Sequence, residues 1–115
     1  MTLETNTKDR PLSGFRVIGL EQYIAGPYCT MLLADAGAEV IKIERPGTGD
    51  PRRHMPPFAE KNGVKKGAGF MAYNRNKRSL ELDLRDPQGQ EVFRKLAATS
   101  DVVVENLRPG SIARQ

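Results

Sequence analysis

Apolar residues along the chain alternate between short β-branched runs and stretches with helical spacing. The runs that have the length and composition of buried strands are FRVIGL (15–20), EVIKIE (39–44) and DVVVE (101–105). A helix is predicted over Pro27–Ala36, because proline suits a first helical turn and Gly37 suits a helix end. Tyr28, Met31 and Leu32 are expected on its buried stripe. The short connections predict a β-α-β unit with a parallel pair of strands.

The run SLELDL at residues 79–84 alternates strictly, unlike the other strands. A parallel strand covered on both faces is usually apolar throughout, so one face here should meet water, a partner subunit or a ligand. Asp86–Pro87 then opens a helix that continues to about Thr99. The residues expected on its buried face are Val92, Phe93, Leu96 and Ala97. This order of elements predicts an α/β fold: a Rossmann-like open parallel sheet with flanking helices, of which the chain supplies the amino-terminal portion.

A long basic segment separates the two halves of this pattern. Residues 45–69 are rich in proline, glycine and cations, and the sequence predicts an irregular connection followed by a helical turn at 70–73. Arg45 and Arg85 each come directly after a strand, and Asn106–Arg108 leave the last strand. Ligands of open parallel sheets bind outside these carboxyl ends, and guanidinium groups suit phosphate oxygens. The sequence therefore predicts an anion site there.

Three more cations, Arg75, Lys77 and Arg78, precede the alternating strand. They lie at its amino end, away from the expected ligand crevice. We therefore interpret them as structural or subunit-contact charges, and not as primary phosphate ligands.

Other ligand classes fit the sequence less well. The first β-α turn, YIAGPYC, lacks the glycines of a dinucleotide fingerprint, although Glu44 and Arg45 stand where a ribose or a 2′-phosphate could bind. Few aromatic residues are available for stacking on bases, so no nucleic acid partner is predicted. Cys29 is expected to pack as a small hydrophobe and His54 to be an ordinary loop residue. No catalytic group and no metal site are evident.

Composition sets the remaining limits. The 115 residues allow one small domain, 28% of them are charged, and the net charge of +4 favours an acidic partner. The single Cys29 fits a reducing compartment. No apolar run reaches membrane-spanning length, and residues 1–10 lack the apolar core of a signal peptide. We expect a disordered lead-in over 1–10, no membrane partner and a cytoplasmic location.

Four stretches together resemble the amino-terminal part of class III CoA-transferases, the CaiB/BaiF family. They are PLSGFRVIGLE, AGPYCTMLLADAGAEVIKIERPGTGDPRR, NRNKRSLELDL and DPQGQEVFRKLAATSDVVVENLRPG. The family includes formyl-CoA transferase, carnitine CoA-transferases and α-methylacyl-CoA racemases. The resemblance implies that residues 11–115 form the amino-terminal part of a large Rossmann-like CoA-binding domain. It also implies interlocked homodimers, with coenzyme A or acyl-CoA as a substrate and no tightly bound cofactor.

The resemblance implies a function and a set of site residues. Family transferases move CoA between carboxylic acids by means of a catalytic aspartate, expected here beyond Gln115. The positions that correspond to CoA contacts are Arg45, Leu82, Asp83, Leu84, Arg85, Asn106, Leu107, Arg108 and Arg114. Tyr23 and Ile24 are expected near the acyl substrate, and Ile24 stands where formyl-CoA transferase has glutamine, which speaks against formate specificity. Two alternatives remain open: a racemase of the same family, and a non-catalytic fragment that binds CoA or a nucleotide.

Overall fold

The structure, a computed structural model, describes residues 10–114 of the chain. Its helices and strands are β1 (Arg16–Leu20), α1 (Ala25–Asp35), β2 (Glu39–Glu44), β3 (Phe58–Lys61), β4 (Val64–Gly67), α2 (Ala68–Tyr73), β5 (Lys77–Glu81), α3 (Pro87–Ala98) and β6 (Val102–Glu105). Two short 3₁₀ turns, Pro51–His54 and Ile112–Arg114, complete the regular structure of these residues. The lead-in expected over residues 1–10 lies, apart from Arg10, outside the described residues.

Four strands form a parallel sheet in the order β5-β2-β1-β6. Counted along the chain as strands one to four of this sheet, they lie in the order 3-2-1-4. That is the order in which the doubly wound nucleotide-binding sheet begins. The prediction of an open parallel sheet with flanking helices is therefore confirmed.

The sheet buries a different apolar cluster on each face, because successive strand residues point to opposite sides. Val17 and Val40 pack with Ala34 of α1 on one face. On the other face Ile18 and Ile41 belong to a cluster covered by residues of α3. Phe93, Leu96 and Ala97 of α3 are in this contact, as predicted. Val92, also predicted on the buried face, is 47% exposed, because it lies on the solvent side of that helix.

Helix α1 contacts the sheet through a stripe of mostly small residues. Its buried positions are Gly26, Pro27, Thr30, Met31 and Ala34. Of the expected stripe only Met31 is buried, whereas Tyr28 and Leu32 are each 49% exposed. Small residues let the helix lie close to the strands and turn its large side chains outward. Cys29 is also exposed, so its expected packing as a small hydrophobe was wrong for the residues described.

The segment between β2 and α2 is more regular than the sequence analysis predicted. It contains an antiparallel hairpin, β3–β4, in which Lys61 pairs with Val64. Asn62 and Gly63 form the two-residue turn with φ angles of 54° and 76°. Asn-Gly is a strong signal for this type of hairpin, and it was available in the sequence.

Strand β5 begins two residues earlier than predicted and ends before Leu82. Its register pairs Lys42 of β2 with Ser79, so the polar face of β5 lies on the α1 side of the sheet. That face meets a cluster of buried charges from the same chain, whereas water, a partner or a ligand had been expected. The cations before and in β5 have structural partners, as predicted: Arg75 pairs with Asp35, and Arg78 with Glu39.

Candidate functional site

A cleft of about 530 Å³ opens at the carboxyl edge of the parallel sheet. The segments that follow β1, β2, β5 and β6 form its walls. The predicted site residues that line it are Tyr23, Arg45, Leu82, Asp83, Leu84, Arg85, Asn106, Leu107 and Arg108. The fold thus brings together residues from four separate parts of the chain, because the carboxyl ends of parallel strands meet at one edge.

Two of the cleft arginines have guanidinium groups without a hydrogen-bond or salt-bridge partner among the described residues. Arg45 follows β2 and Arg108 lies after β6, and both side chains are exposed. Neither guanidinium makes a hydrogen bond or salt bridge with another residue in the range 10–114. Guanidinium groups donate to phosphate and carboxylate oxygens in pairs, so these two side chains can receive an anionic ligand without first breaking an internal contact.

Arg85 differs from them because it is paired with Asp83 in the same cleft. Oδ1 of Asp83 accepts hydrogen bonds from the Arg85 amide at 2.9 Å and from Arg85 Nε at 3.1 Å. The hydrogen bonds from Arg85 hold the pKa of the Asp83 carboxyl below its usual range. Asp83 therefore stays ionised at neutral pH and orients the guanidinium. It also offsets part of the positive charge that the arginine brings.

The glycine at position 89 explains why helix α3 can start so close to the cleft. A Cβ atom on Gly89 would lie 1.9 Å from the carbonyl oxygen of Asp83. Only glycine permits this approach, which places the first turn of α3 against the backbone of the cleft wall.

Asn106 fixes the turn between β1 and α1. Its Oδ1 accepts a hydrogen bond from the Gln22 amide, and its Nδ2 donates one to the Gln22 carbonyl, both at 2.9 Å. Gly26 lies directly behind this contact, and a Cβ there would be 2.9 Å from Asn106 Cγ. The Asn106 side chain is thus committed to the protein, although the residue lines the cleft.

Two predicted residues lie outside the lining of the cleft. Ile24 is the residue before α1, and its side chain is 48% exposed. Arg114 is in the final 3₁₀ turn, a few residues after the lining residue Ser111, and is exposed. Their expected roles stay predictions.

A group of buried charges under the β1–α1 turn was missed by the sequence analysis. Lys42 Nζ lies 2.9 Å from Asp50 Oδ2 and also contacts the Glu21 carboxylate. Lys77 Nζ lies 2.9 Å from Glu21 Oε1. The four side chains are at most 2% exposed. Thr30 Oγ1 donates to Glu21 Oε1 at 2.8 Å, so the carboxylate is held from several sides. We call Glu21, Lys42, Asp50 and Lys77 the buried charge cluster.

Glu44 forms an ion pair next to this cluster, and the pair bears on whether the cleft could hold a dinucleotide. Arg53 donates from Nε and Nη2 to its two carboxylate oxygens at 2.8 and 2.7 Å, and Ser79 donates to it as well. Although burial opposes ionisation, these hydrogen bonds lower the pKa of Glu44 to about 2. The Arg53 guanidinium lies 3.8 Å from the centre of the Phe70 ring. Glu44 is therefore enclosed and unavailable to a ribose, so the structure does not favour a dinucleotide site here.

The other candidate reactive groups of the described residues show no arrangement typical of a catalytic or metal site. His54 ends the 3₁₀ turn Pro51–His54, is exposed, and has its Nε2 2.8 Å from the Thr48 carbonyl oxygen. Among residues 10–114 no group of three or more His, Cys, Asp or Glu side chains is arranged to hold a metal ion. No helix in that range is both long and apolar enough to cross a membrane.

The fold and the cleft define an α/β protein with an arginine-lined cleft at the carboxyl edge of a parallel sheet. Residues 12–115 match the family model described as CoA-transferase family III. Since the match covers most of this chain, the chain belongs to CoA-transferase family III.

Named relatives and solved structures agree with this membership. The chain is 50% identical over 104 residues to a succinyl-CoA:mesaconate CoA-transferase of Haloarcula hispanica, a match covering 90% of this chain and 26% of the relative. It is 45% identical over 105 residues to a succinyl-CoA:glutarate CoA-transferase of Mus musculus, covering 90% and 23%. A CaiB/BaiF family protein from Brucella suis superposes with a TM-score of 0.83 at 42% identity, covering 91% of this chain and 28% of that one. The chain thus spans about a quarter of the length of these relatives.

Proposed function

We propose that the chain forms the CoA-binding part of an enzyme that transfers CoA from an acyl-CoA to a carboxylic acid. The observation that carries the proposal is that Arg45 and Arg108 line one cleft beside Arg85, and that their guanidinium groups make no hydrogen bond or salt bridge with residues 10–114. CoA carries a diphosphate and a 3′-phosphate, so it matches a cleft with several guanidinium groups. CoA binds as a substrate, and no tightly bound cofactor is part of the proposal.

The proposed contacts follow the walls of the cleft. Arg45 and Arg85 bind the phosphates, and the segment Leu82–Leu84 borders the adenosine. The loop Asn106–Arg108 closes the opposite wall, and Arg114 adds a cation from the turn that follows. Tyr23 and Ile24 lie towards the acyl group.

The bond-making carboxylate is proposed to come from sequence after residue 115. The carboxylates buried within residues 10–114, those of Glu21, Glu44 and Asp50, are all held in ion pairs. An uncommitted aspartate would attack the thioester carbonyl and expel the CoA thiolate, leaving a mixed anhydride. The thiolate then attacks the aspartyl carbonyl of the anhydride, which releases the first carboxylate and leaves CoA on the enzyme as a thioester. The acceptor carboxylate then attacks the aspartyl thioester and expels the CoA thiolate, which gives a second mixed anhydride. The thiolate attacks the acceptor carbonyl of that anhydride, which forms the product acyl-CoA and releases the aspartate carboxylate.

The donor and acceptor are proposed from the relatives. Those named above are succinyl-CoA transferases acting with mesaconate or glutarate. We therefore propose succinyl-CoA as the donor and a small dicarboxylic acid as the acceptor, which favours transfer over racemisation. The proposed enzyme is a homodimer, as the family resemblance implies. It acts in the cytoplasm, where a lone cysteine stays reduced.

A transfer assay with the full-length protein tests the proposal. Succinyl-CoA is incubated with mesaconate or glutarate, and the new acyl-CoA is separated by chromatography. Formation of mesaconyl-CoA or glutaryl-CoA with release of succinate is expected. Exchange of the α-proton of a 2-methylacyl-CoA for deuterium, without any transfer, would instead identify a racemase. If calorimetry detects no CoA binding, the assignment of the cleft is wrong.

A further inference from the structure

Three consecutive residues between β1 and α1 are held by side chains from distant parts of the chain. Lys42 Nζ donates to the Glu21 carbonyl at 2.9 Å. Asn106 binds both the amide and the carbonyl of Gln22. Asp50 Oδ1 lies 3.4 Å from the Tyr23 amide nitrogen, which donates to it. Four backbone groups of this turn are therefore fixed by tertiary contacts that do not belong to a helix or to a sheet ladder.

Tyr23 needs such support because its backbone is strained. Its φ angle is 68°, in the left-handed region that favours glycine. A non-glycine residue stays in this region only where surrounding contacts determine it. Its side chain is 44% exposed and lines the cleft. The strained backbone therefore belongs to a residue that lines the cleft.

The buried charge cluster connects this strained residue to the sheet. Lys42 Nζ donates hydrogen bonds to the carbonyl and to the carboxylate of Glu21, and it forms an ion pair with Asp50 Oδ2 at 2.9 Å. Lys42 therefore binds the turn directly at the Glu21 carbonyl. Its ion pair with Asp50 also holds the carboxylate that accepts a hydrogen bond from the Tyr23 amide. Because a buried ion pair is costly to desolvate, replacing it with apolar residues often leaves stability unchanged or higher. Its position under the turn suggests a role beyond stability.

We propose that Lys42 and Asp50 are positioning residues, which hold the turn at residues 21–23 and the Tyr23 side chain in the ligand-binding geometry before CoA arrives. This inference rests on the proposed function of the cleft. It assigns to two residues outside the predicted contact set a part in ligand affinity, through pre-organisation of the turn.

Lys77 provides a matched control within the same cluster. Its side chain is as deeply buried as that of Lys42, at 2% exposure, and pairs with the same carboxylate. Its other donors go to the Pro27 carbonyl and to Asn74, and it donates no hydrogen bond to a backbone group of residues 21–23. Lys77→Met therefore removes a buried cation without releasing the turn, whereas Lys42→Met does both.

CoA affinity of the full-length protein tests the inference by calorimetry, on variants shown to be folded by circular dichroism. We expect Lys42→Met to raise the Kd for CoA about tenfold or more, and Lys77→Met to change it less than about twofold. Asp50→Ala should resemble Lys42→Met, because the Tyr23 amide loses its acceptor. If Lys42→Met and Lys77→Met change the Kd for CoA equally, the inference is wrong. The proposed function still stands in that case, provided that the wild-type protein binds CoA. No binding by the wild type would overturn the proposed function and the inference with it.

Hydrogen exchange in the wild-type protein tests the same point if the variants do not fold. Without CoA, amides of residues 22–23 should exchange as slowly as those of β1, because the turn is already held. The hairpin turn at Asn62–Gly63 is the fast-exchanging reference. If residues 22–23 exchange as fast as this reference and become protected only when CoA is added, the turn is not pre-organised and the inference is wrong.

Discussion

Asn106 continues the pairing of β1 and β6 beyond the point where the two strands end. The last paired residues are Leu20 and Glu105, and the Asn106 side chain then binds the amide and carbonyl of Gln22 at 2.9 Å. In the order 3-2-1-4, these two strands are the neighbours between which the chain changes direction across the sheet. Ligands of open α/β sheets bind at that place. Asn106 thus extends the link between β1 and β6 past the ends of the strands and fixes the turn that borders the cleft.

Replacing Asn106 should affect both stability and ligand binding. Asn106→Ala removes two hydrogen bonds, so we expect the free energy of unfolding to fall by about 1 to 2 kcal/mol, measured by urea titration. Asn106→Asp keeps an acceptor for the Gln22 amide, but it sets a carboxylate oxygen against the Gln22 carbonyl. It also adds negative charge to a cleft proposed to bind phosphates. We therefore expect the Asp variant to bind CoA more weakly than the Ala variant, and the reverse order would contradict the anion-binding assignment.

Arg45 should contribute to CoA binding and little to folding. Its guanidinium has no hydrogen bond or salt bridge within residues 10–114, so Arg45→Ala should leave the urea midpoint nearly unchanged. Loss of a charge-assisted contact to phosphate should raise the Kd for CoA by about ten- to a hundredfold at low salt, and less at high salt. Lys95→Ala is the control, since Lys95 is exposed on α3 and lies 3.9 Å from Glu91. Equal losses in both variants would indicate a general charge effect instead of a specific site.

Replacing Arg85 should have a different effect from replacing Arg45, because the Arg85 guanidinium neutralises the Asp83 carboxylate in the same cleft. Arg85→Ala removes the guanidinium that pairs with the Asp83 carboxylate and keeps only the backbone amide as a donor, so an unneutralised negative charge then faces the cleft. We expect Arg85→Ala to weaken CoA binding, and the double change Arg85→Ala with Asp83→Asn to restore part of the affinity, as calorimetry can show. If the double variant binds no better than Arg85→Ala, Asp83 does not act through the charge that this reasoning assigns to it.

The backbone strain at Tyr23 can be measured by comparison with Tyr28. The two side chains are similarly exposed, at 44% and 49%, but only Tyr23 has a positive φ, whereas Tyr28 lies in helix α1. Tyr23→Gly should raise the free energy of unfolding by about 1 kcal/mol, because glycine adopts that conformation without strain. Tyr28→Gly should lower it by about 1 kcal/mol, because glycine is unfavourable within a helix. Equal losses for the two variants would show that Tyr23 is not strained.

The sequence predicted the elements that depend on local pattern. The β-branched runs gave β1, β2 and β6, and Arg45 and Arg85 were placed at one edge because parallel strands end together. The hairpin turn at Asn62–Gly63 could have been predicted from its dipeptide, but the basic composition around it favoured an irregular loop.

The buried charge cluster could not be assembled from the sequence, because its members are far apart in the chain. Lys42 in the middle of EVIKIE was the available signal: a cation within an apolar strand needs a buried partner. Which carboxylates supply that partner depends on how Glu21 and Asp50 fold back onto β2, and local pattern carries no information about it. The alternation in β5 has the same origin, since its polar face meets this cluster and the ion pair of Glu44.

The ion pair of Glu44 predicts a specific loss of stability in acid. Its pKa is about 2 in the folded protein against an ordinary value of 4.5, so its contribution is complete above about pH 5 and is lost as the pH falls towards 2. A shift of this size corresponds to about 3 kcal/mol, from about 1.4 kcal/mol per unit. Glu44→Gln cannot form the ion pair, so it should be less stable than wild type at pH 7, and the difference should shrink progressively between pH 5 and 2.5. Urea titrations at several pH values measure this difference in the free energy of unfolding.

The control Glu91→Gln removes an exposed carboxylate whose cationic partners lie 3.9 Å away, so its difference from wild type should stay small throughout. A constant difference between wild type and Glu44→Gln across this range would mean that the carboxylate is not held ionised by Arg53.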